Sequence, residues 1–102
     1  MVVTAPLDLA GPPRRIHVVG VGGAGMRAIA SVLVAMGHRV SGSDLKPSPG
    51  LDRLRAQGIE VQVGHDGAHV GWADLVAVST AIPETNPEIA AAREAGIPVL
   101  SR

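Results

Sequence analysis

The sequence contains no cysteine, no tyrosine and no phenylalanine, and Trp72 is its single aromatic residue. Without cysteine, a disulfide framework and thiol chemistry are excluded, as is common in cytosolic proteins. Because aromatic residues are nearly absent, the core must consist of Val, Ile, Leu, Ala and Met. That composition is typical of parallel sheets whose strands are buried on both faces. Hydrophobic residues make up 46% of the chain, which predicts a packed globule rather than a disordered segment.

The chain also lacks a net charge and a long apolar run. Without a basic excess, nucleic acid is not an expected partner, and without a basic block neither is a membrane surface. No apolar stretch approaches the length of a transmembrane helix, and the N-terminus lacks the pattern of a secretory signal. The length of 102 residues predicts one domain, spanning residues 15–102, after a flexible lead-in over residues 1–14.

Strand-like and helix-like segments alternate along the chain, which predicts βαβ units and a parallel sheet. Each predicted helix stops at a glycine in the position that ends helices: Gly37, Gly58 and Gly96. Ser48 and Asn86 stand at predicted N-caps, each followed by a proline. The predicted strands cover residues 16–19, 39–43, 59–63, 75–78 and 97–100. Right-handed crossovers on both sides of the first strand then give a Rossmann-like three-layer α/β/α fold with strand order 3-2-1-4-5.

A glycine-rich loop joins the first strand to the first helix. Gly20, Gly22 and Gly25 match the G-x-G-x-x-G pattern in its expected context of strand, loop and helix. Gly20 permits a tight turn, whereas Gly22 and Gly23 lack the Cβ atoms that would keep a diphosphate from the backbone. Gly25 is expected to let the helix pack closely against the sheet. The free amides and the dipole of the first helical turn would attract the anion. The alternative is a glycine turn that merely saves space.

Asp44 ends the second predicted strand. An acid at this position hydrogen-bonds ribose hydroxyls in dinucleotide-binding domains. Alternatively, an Asp before a turn can bond its own backbone. The spacing from the glycine loop favours the binding interpretation. An NAD-binding module of a dehydrogenase or a regulatory protein would use the same features, and a non-binding interaction domain is a third possibility.

Several separated motifs together resemble the Mur ligase family of peptidoglycan synthesis, in particular its first amino-acid-adding member. The resemblance covers about residues 15–102, and its motifs agree in order and spacing. They are Gly20-Val21-Gly22-Gly23-Ala24-Gly25-Met26, Ser41-Gly42-Ser43-Asp44, Gly64-His65, and the run from Ser79 to Glu88.

The resemblance implies a three-domain bacterial enzyme of the cytoplasm that joins L-alanine to UDP-N-acetylmuramate. It implies that ATP and magnesium bind a central domain, and that a C-terminal domain helps to bind the amino acid. This chain would be the N-terminal domain, which binds the UDP part. The implied diphosphate loop is Gly22, Gly23, Ala24, Gly25 and Met26. Residues near the uridine are Asp44, Leu45 and His65, and those lining the mouth are Ser79, Thr80, Ala81 and Ile82. A relative that recycles muramyl peptides shares this architecture.

No G-x-x-x-x-G-K-[ST] sequence occurs, so the phosphate cradle that ATP chemistry needs is missing from these residues. We therefore expect no catalytic residue, no cofactor and no metal ligand in this chain, which should bind the nucleotide-sugar without ligating it. Its end directly after a strand suggests a domain boundary, with the other two domains outside. Of the remaining polar residues, His17 is expected to be structural, His38 and His69 to lie on the surface, and Arg27 to face solvent. The Ser79 and Thr80 hydroxyls could either cap or bind.

Overall fold

Five strands and three α-helices alternate along residues 11–101, the part of the chain that the structure, a computed structural model, describes. Most of the predicted lead-in, residues 1–10, lies outside this part, as does Arg102. The elements are β1 (Arg15–Val19), α1 (Ala24–Ala35), β2 (Arg39–Asp44), α2 (Pro49–Ala56), β3 (Glu60–Val63), a short 3-10 helix (Gly67–Val70), β4 (Leu75–Val78), α3 (Pro87–Glu94) and β5 (Val99–Ser101).

The five strands form one parallel sheet in the order β3-β2-β1-β4-β5, which confirms the predicted fold class and strand order. In the central strand, Val18 is paired with Gly42 on one side and with Ala77 on the other. After β1 the chain forms β2 and β3 on one side of this strand, and it then returns to form β4 and β5 on the other side. The carboxyl end of β1 lies at the point of reversal, where open α/β sheets bind their ligands.

Each face of the sheet carries its own core. Helices α1 and α2 cover one face, where Ile16, Val18, Met26, Ala30, Leu33, Leu51 and Leu54 are among the buried residues. Helix α3 and the 3-10 helix cover the other, with Val19, Val70, Val76, Val78, Ile89 and Ala92. Burial on both faces explains the continuous apolar runs of β1 and β4. Glu60 and Gln62 of β3 are exposed, as expected of a strand at the sheet edge.

All three helices end in the same hydrogen-bonding motif. At the end of α1, His38 N donates to Leu33 O over 3.1 Å, and Gly37 N donates to Val34 O over 2.9 Å. This is the Schellman arrangement, in which the glycine takes a positive φ that other residues rarely adopt. The three glycines named from the sequence occupy this position, with φ of 96°, 89° and 74° at Gly37, Gly58 and Gly96.

The helix starts agree with the predicted positions but differ in chemistry. The Asn86 side chain accepts a hydrogen bond from Glu88 N over 2.8 Å, as an N-cap residue should. Ser48 occupies the N-cap position of α2, yet its hydroxyl makes no cap hydrogen bond.

The close approach expected at Gly25 occurs elsewhere. Gly25 is exposed, so the prediction that it packs α1 against the sheet is wrong. Gly42 in β2 is instead a buried glycine in close contact with the loop, and a Cβ atom there would lie 2.7 Å from Val21. Because Val21 crosses over β2 in contact with its backbone, the glycine loop is held against the end of that strand.

Candidate functional site

The glycine loop turns at the carboxyl end of β1 and is held there by β2. Gly20 adopts φ of 80°, which makes the tight turn that the sequence predicts. The amides of Gly20 and Val21 both donate to the carbonyl oxygen of Ser43, over 2.9 and 3.0 Å. The loop therefore lies at the carboxyl edge of the sheet, beside the end of β2.

Asp44 contacts this loop with its carboxylate. Its Oδ2 accepts a hydrogen bond from Gly22 N over 2.7 Å, while Oδ1 accepts one from Leu45 N over 2.7 Å. A Cβ atom at Gly22 would lie 2.6 Å from Oδ2, so the missing side chain makes room for Asp44. The bond to Leu45 is the local backbone contact of the turn interpretation. The prediction from the sequence was that the missing side chain of Gly22 makes room for a diphosphate.

The first amides of α1 remain available beyond this contact. Helical hydrogen bonding begins with Arg27 N, which donates to Gly23 O over 2.8 Å, and the N-cap residue, Gly23, has no side chain that could cap the helix. The amides of Ala24, Gly25 and Met26 therefore precede the first helical bond, and their dipoles leave positive potential at the loop. Ala24 and Gly25 are exposed, whereas the Met26 side chain is buried in the core.

A cleft of about 390 Å³ opens between the glycine loop and two other segments. Among the residues named from the sequence, the structure brings Gly22, Gly23, Asp44, Ser79, Ala81 and Ile82 together as its lining. Gly20 lines it too, as do Lys46 and Pro47, for which no role is predicted from the sequence, and Ser48, which is predicted only as an N-cap. Lys46 places a cation on this lining. In the sequence Lys46 is a basic residue just beyond a strand end. Such residues are common on any protein surface, so the pattern does not single it out.

The loop after β4 closes the far side of the cleft. Its turn is fixed by Ser79, whose Oγ accepts from Ala81 N over 3.2 Å and whose carbonyl accepts from Ile82 N over 3.0 Å. This local backbone contact is one of the two roles left open for the Ser79 hydroxyl, and the binding role stays a prediction. A Cβ atom at Gly20 would lie 3.1 Å from Ile82 Cδ1, so the two loops are in contact.

Six predicted site residues are not among those that line the cleft: Ala24 and Gly25, which are exposed at the start of α1, and Leu45, Thr80, Met26 and His65. Leu45 is 67% exposed and Thr80 is also exposed, both close to the cleft in sequence. Met26 packs inward, as described above. His65 is turned towards the opposite face of the sheet, where its Nδ1 lies 2.9 Å from Ser43 Oγ and its Nε2 is buried without a hydrogen-bond partner.

Beneath the cleft, on the α3 side of the sheet, lies a polar cluster that we call the Glu88 cluster. It consists of Glu88, His17, Ser43, His65, His69 and the amide of Asp66. The Glu88 side chain is fully buried, and its Oε1 accepts from His17 Nε2 over 2.7 Å and from Ser43 Oγ over 2.5 Å. Its Oε2 accepts from His69 Nδ1 over 2.7 Å and from Asp66 N over 3.0 Å.

These bonds decide the charge of Glu88. Burial alone would raise the pKa of its carboxyl group, but the hydrogen bonds from His17, Ser43, His69 and the Asp66 amide outweigh burial and lower the pKa to about 2. Glu88 is therefore a buried anion that is satisfied by four donors. From the sequence, Glu88 is only the last residue of the motif that begins at Ser79, because a sequence pattern does not reveal which way such a side chain faces.

Three expectations about basic residues need correction. His17 is a hydrogen-bonded structural histidine, as predicted, and its Nδ1 also lies 2.6 Å from Ser41 Oγ. His38, however, is not a surface residue, since it is 5% exposed, and His69 is only partly exposed because it belongs to the Glu88 cluster. Arg27 does not simply face solvent. It is half-buried against Gly50 of α2, and its Nε is buried without a hydrogen-bond partner.

A larger depression, of about 560 Å³, lies at the amino ends of the strands, lined by residues that include Arg15, Arg39, Glu60 and Trp72. It is remote from the loop amides and from the switch point, so we place the candidate site at the smaller cleft. Within residues 11–101 no group of three His, Asp or Glu side chains could hold a metal ion. In the same range, no helix has the length and apolarity to cross a membrane.

Comparison with known proteins gives consistent matches. The model for "Mur ligase family, catalytic domain" matches residues 15–102. The UDP-N-acetylmuramate–L-alanine ligase of Rubrobacter xylanophilus is 54% identical over 88 residues, which are 86% of this chain and 20% of the relative. A second such ligase, from Acidithiobacillus ferrooxidans, is 54% identical over 89 residues, 87% of this chain and 19% of the relative.

A similar solved structure is the UDP-N-acetylmuramate-alanine ligase of Thermotoga maritima. It has a TM-score of 0.84 and 36% identity, and the match covers 87% of this chain and 21% of that one. The chain spans about a fifth of the length of the curated relatives it matches.

Proposed function

The chain belongs to the Mur ligase family, and from that premise we propose that residues 15–102 are the N-terminal, UDP-binding domain of a UDP-N-acetylmuramate–L-alanine ligase. In this proposal the domain binds the UDP part of UDP-N-acetylmuramate, a substrate for bacterial peptidoglycan synthesis in the cytoplasm. The full-length enzyme would use ATP and magnesium to join L-alanine to the muramoyl carboxylate. Those steps would take place on the central and C-terminal domains, because this chain lacks a phosphate-cradling G-x-x-x-x-G-K-[ST] sequence.

The observation that carries the proposal is the position of the cleft. It lies at the carboxyl edge of a parallel sheet, at the switch between β1 and β4, with the start of α1 on its border. The amides of Ala24, Gly25 and Met26, which precede the first helical hydrogen bond, together with Lys46, supply positive potential for a diphosphate. Because the amide of Gly22 already donates a hydrogen bond to Asp44 Oδ2, we place the diphosphate on these later amides rather than on that of Gly22.

The remaining proposed contacts are made by the two other segments that line the cleft, residues 44–48 and 79–82. Asp44 and Leu45 lie where β2 ends, and Ser79, Thr80, Ala81 and Ile82 follow β4. We propose that the uridine lies between these segments. We assign His65 a supporting role beneath the end of β2 rather than a direct contact, since its side chain packs against Ser43.

The relatives support the alanine-adding reaction over the recycling reaction. Among the similar solved structures, the alanine ligase of Thermotoga maritima is 36% identical to this chain with a TM-score of 0.84. The UDP-N-acetylmuramate:L-alanyl-gamma-D-glutamyl-meso-diaminopimelate ligase of Neisseria meningitides is 30% identical, with a TM-score of 0.80 over 88% of this chain and 29% of that one. Both names contain UDP-N-acetylmuramate, and the domain is proposed to bind the UDP part of that molecule.

The test is an NMR titration of the 102-residue chain with UDP, with UDP-N-acetylmuramate and with NAD. We expect both uridine compounds to shift the amide signals of Gly23, Ala24, Gly25, Lys46 and Ala81, and NAD to shift them less at equal concentration. Lys46→Gln should weaken UDP binding by about three- to tenfold, because one cation is lost. Arg53→Gln, an exposed cation on α2 that does not line the cleft, is the matched control.

Two results would contradict the proposal. Preferential binding of NAD at these amides would favour a dinucleotide-binding module. Absence of any shift with UDP and UDP-N-acetylmuramate would leave the cleft without the proposed ligand.

A further inference from the structure

Glu88 does not line the cleft, yet hydrogen bonds connect it to the loop that does. We infer that Glu88 is a positioning residue for UDP binding: its carboxylate fixes the end of β2, which in turn fixes the glycine loop. The inference rests on the proposed function for its ligand, but its structural part concerns the loop alone. No residue is predicted from the sequence to position the glycine loop in this way.

The first step leads from Glu88 to Ser43. Both side chains are fully buried, and the Ser43 hydroxyl donates to Glu88 Oε1 over 2.5 Å. A hydrogen bond to an ionised carboxylate is about twice as strong as one between neutral groups. Because the Ser43 hydroxyl proton is used in this bond, His65 Nδ1 is assigned as the donor to Ser43 Oγ at 2.9 Å. The Ser43 side chain is thus held from two sides.

The second step leads from Ser43 to the glycine loop. The Ser43 carbonyl oxygen accepts the amides of Gly20 and Val21, and the next residue, Asp44, accepts the amide of Gly22. Three successive loop amides are therefore bonded to the last two residues of β2. Any displacement of the strand end moves the loop that borders the cleft.

The third step concerns the rigidity of Glu88 itself. Its carboxylate also accepts from His17 on β1, from His69 on the 3-10 helix and from the Asp66 amide. Four donors occupy the acceptor positions of the two oxygens, so the carboxylate cannot rotate without losing a bond. His17, His65, His69 and Asp66 are the titratable residues around it, and the Asp66 carboxylate is turned to Ala68 N.

The first test compares two serine variants of the same strand. Ser43→Ala removes the link between Glu88 and the loop anchor. The matched control is Ser41→Ala. Ser41 lies two residues before Ser43 on β2, and its buried hydroxyl forms a hydrogen bond with His17 Nδ1. We expect Ser43→Ala to speed hydrogen exchange at the Gly20 and Val21 amides by about tenfold relative to the Val18 amide, the effect of weakening one hydrogen bond. UDP affinity should fall by about tenfold, whereas Ser41→Ala should leave both quantities within about twofold.

The second test uses Glu88→Gln, with the exposed Glu84→Gln as control. Glu84 is paired with Arg93 on the surface, so its variant should match the wild type in exchange and in binding. Glu88→Gln should shift the ligand-free amide signals of Gly20, Val21 and Gly22 and weaken UDP binding. Should this variant fail to fold, the serine pair still decides the question.

The outcomes separate this inference from the proposed function. If Ser43→Ala lowers the unfolding temperature but leaves the loop amides and UDP affinity as in Ser41→Ala, Glu88 has only a stabilising role and the inference is wrong. If the wild type binds no UDP while Ser43→Ala still loosens the loop amides, the proposed ligand is wrong and the positioning of the loop by Glu88 stands.

Discussion

Asp44 Oδ2 lies 2.7 Å from the backbone nitrogen of Gly22, so the protein's own carboxylate occupies one amide of the glycine loop. The same oxygen would lie 2.6 Å from a Cβ atom at position 22. The second glycine of the fingerprint is therefore explained by an internal contact, whether or not a ligand is bound. The loop keeps its shape through this contact and through the two bonds to Ser43.

Gly22→Ala should destabilise the fold and disturb the loop. The added methyl group must displace Asp44, and such overpacking costs about 1–3 kcal/mol in the free energy of unfolding. Urea unfolding measures the cost. Gly71→Ala is the control, because no atom lies within 4 Å of a Cβ there, and its effect should stay within about 0.5 kcal/mol. Equal unfolding midpoints for the two variants would contradict the assigned contact.

Asp44→Asn should weaken the same contact without adding volume. The amide side chain keeps one acceptor oxygen, so it cannot accept from both Gly22 N and Leu45 N with separate oxygens as the carboxylate does. We expect a loss of about 1–2 kcal/mol and a marked change in the Gly22 amide proton shift. Asp52→Asn, which affects an exposed pair with Arg55, should change stability by less than about 0.5 kcal/mol. An unchanged Gly22 signal in Asp44→Asn would show that the bond is not formed in solution.

Acid should destabilise the protein through Glu88. Its pKa is lowered from 4.5 to about 2, so its contribution is fully present above pH 4.5 and is lost as the pH falls from there towards 2. The shift corresponds to about 3 kcal/mol. The free energy of unfolding of the wild type should therefore fall more steeply below pH 4.5 than that of Glu88→Gln. Parallel curves for the two proteins over this range would mean that Glu88 is not an anion in the folded state.

The two N-cap residues should respond differently to alanine. Asn86→Ala removes the hydrogen bond to Glu88 N and should cost about 1 kcal/mol in thermal or urea unfolding. Ser48→Ala should cost less than about 0.5 kcal/mol, since the Ser48 hydroxyl makes no cap bond. A larger loss in Ser48→Ala than in Asn86→Ala would contradict the description of both caps.

The fold could be predicted from the sequence because its signals are local and agree with one another. Glycines at the helix ends, apolar runs in β1 and β4, and the right-handed crossover rule together determine the strand order. The position of the cleft followed from the same rule, since parallel strands present their carboxyl ends at one edge. The residues that meet there, such as Gly22, Asp44 and Ser79, could be named before their geometry was known.

The Glu88 cluster could not be predicted because it depends on which way side chains face in three dimensions. Ser43 and Glu88 are 45 positions apart, and no periodic pattern links them. His69 illustrates the same difficulty, because a histidine in a loop resembles a surface residue until the loop folds under α3. The Arg27 side chain was misassigned for a related reason: the space above Gly50 exists only once α1 and α2 are packed together.

The cleft is assembled from three stretches of chain that are far apart in sequence, at residues 20–23, 44–48 and 79–82. A partly folded molecule in which β4 has not yet docked would possess the glycine loop but only two of the three walls. Affinity for a ligand of this cleft should therefore require β4 to be docked against β1. Such a ligand would report on the docking of β4 and would slow its detachment.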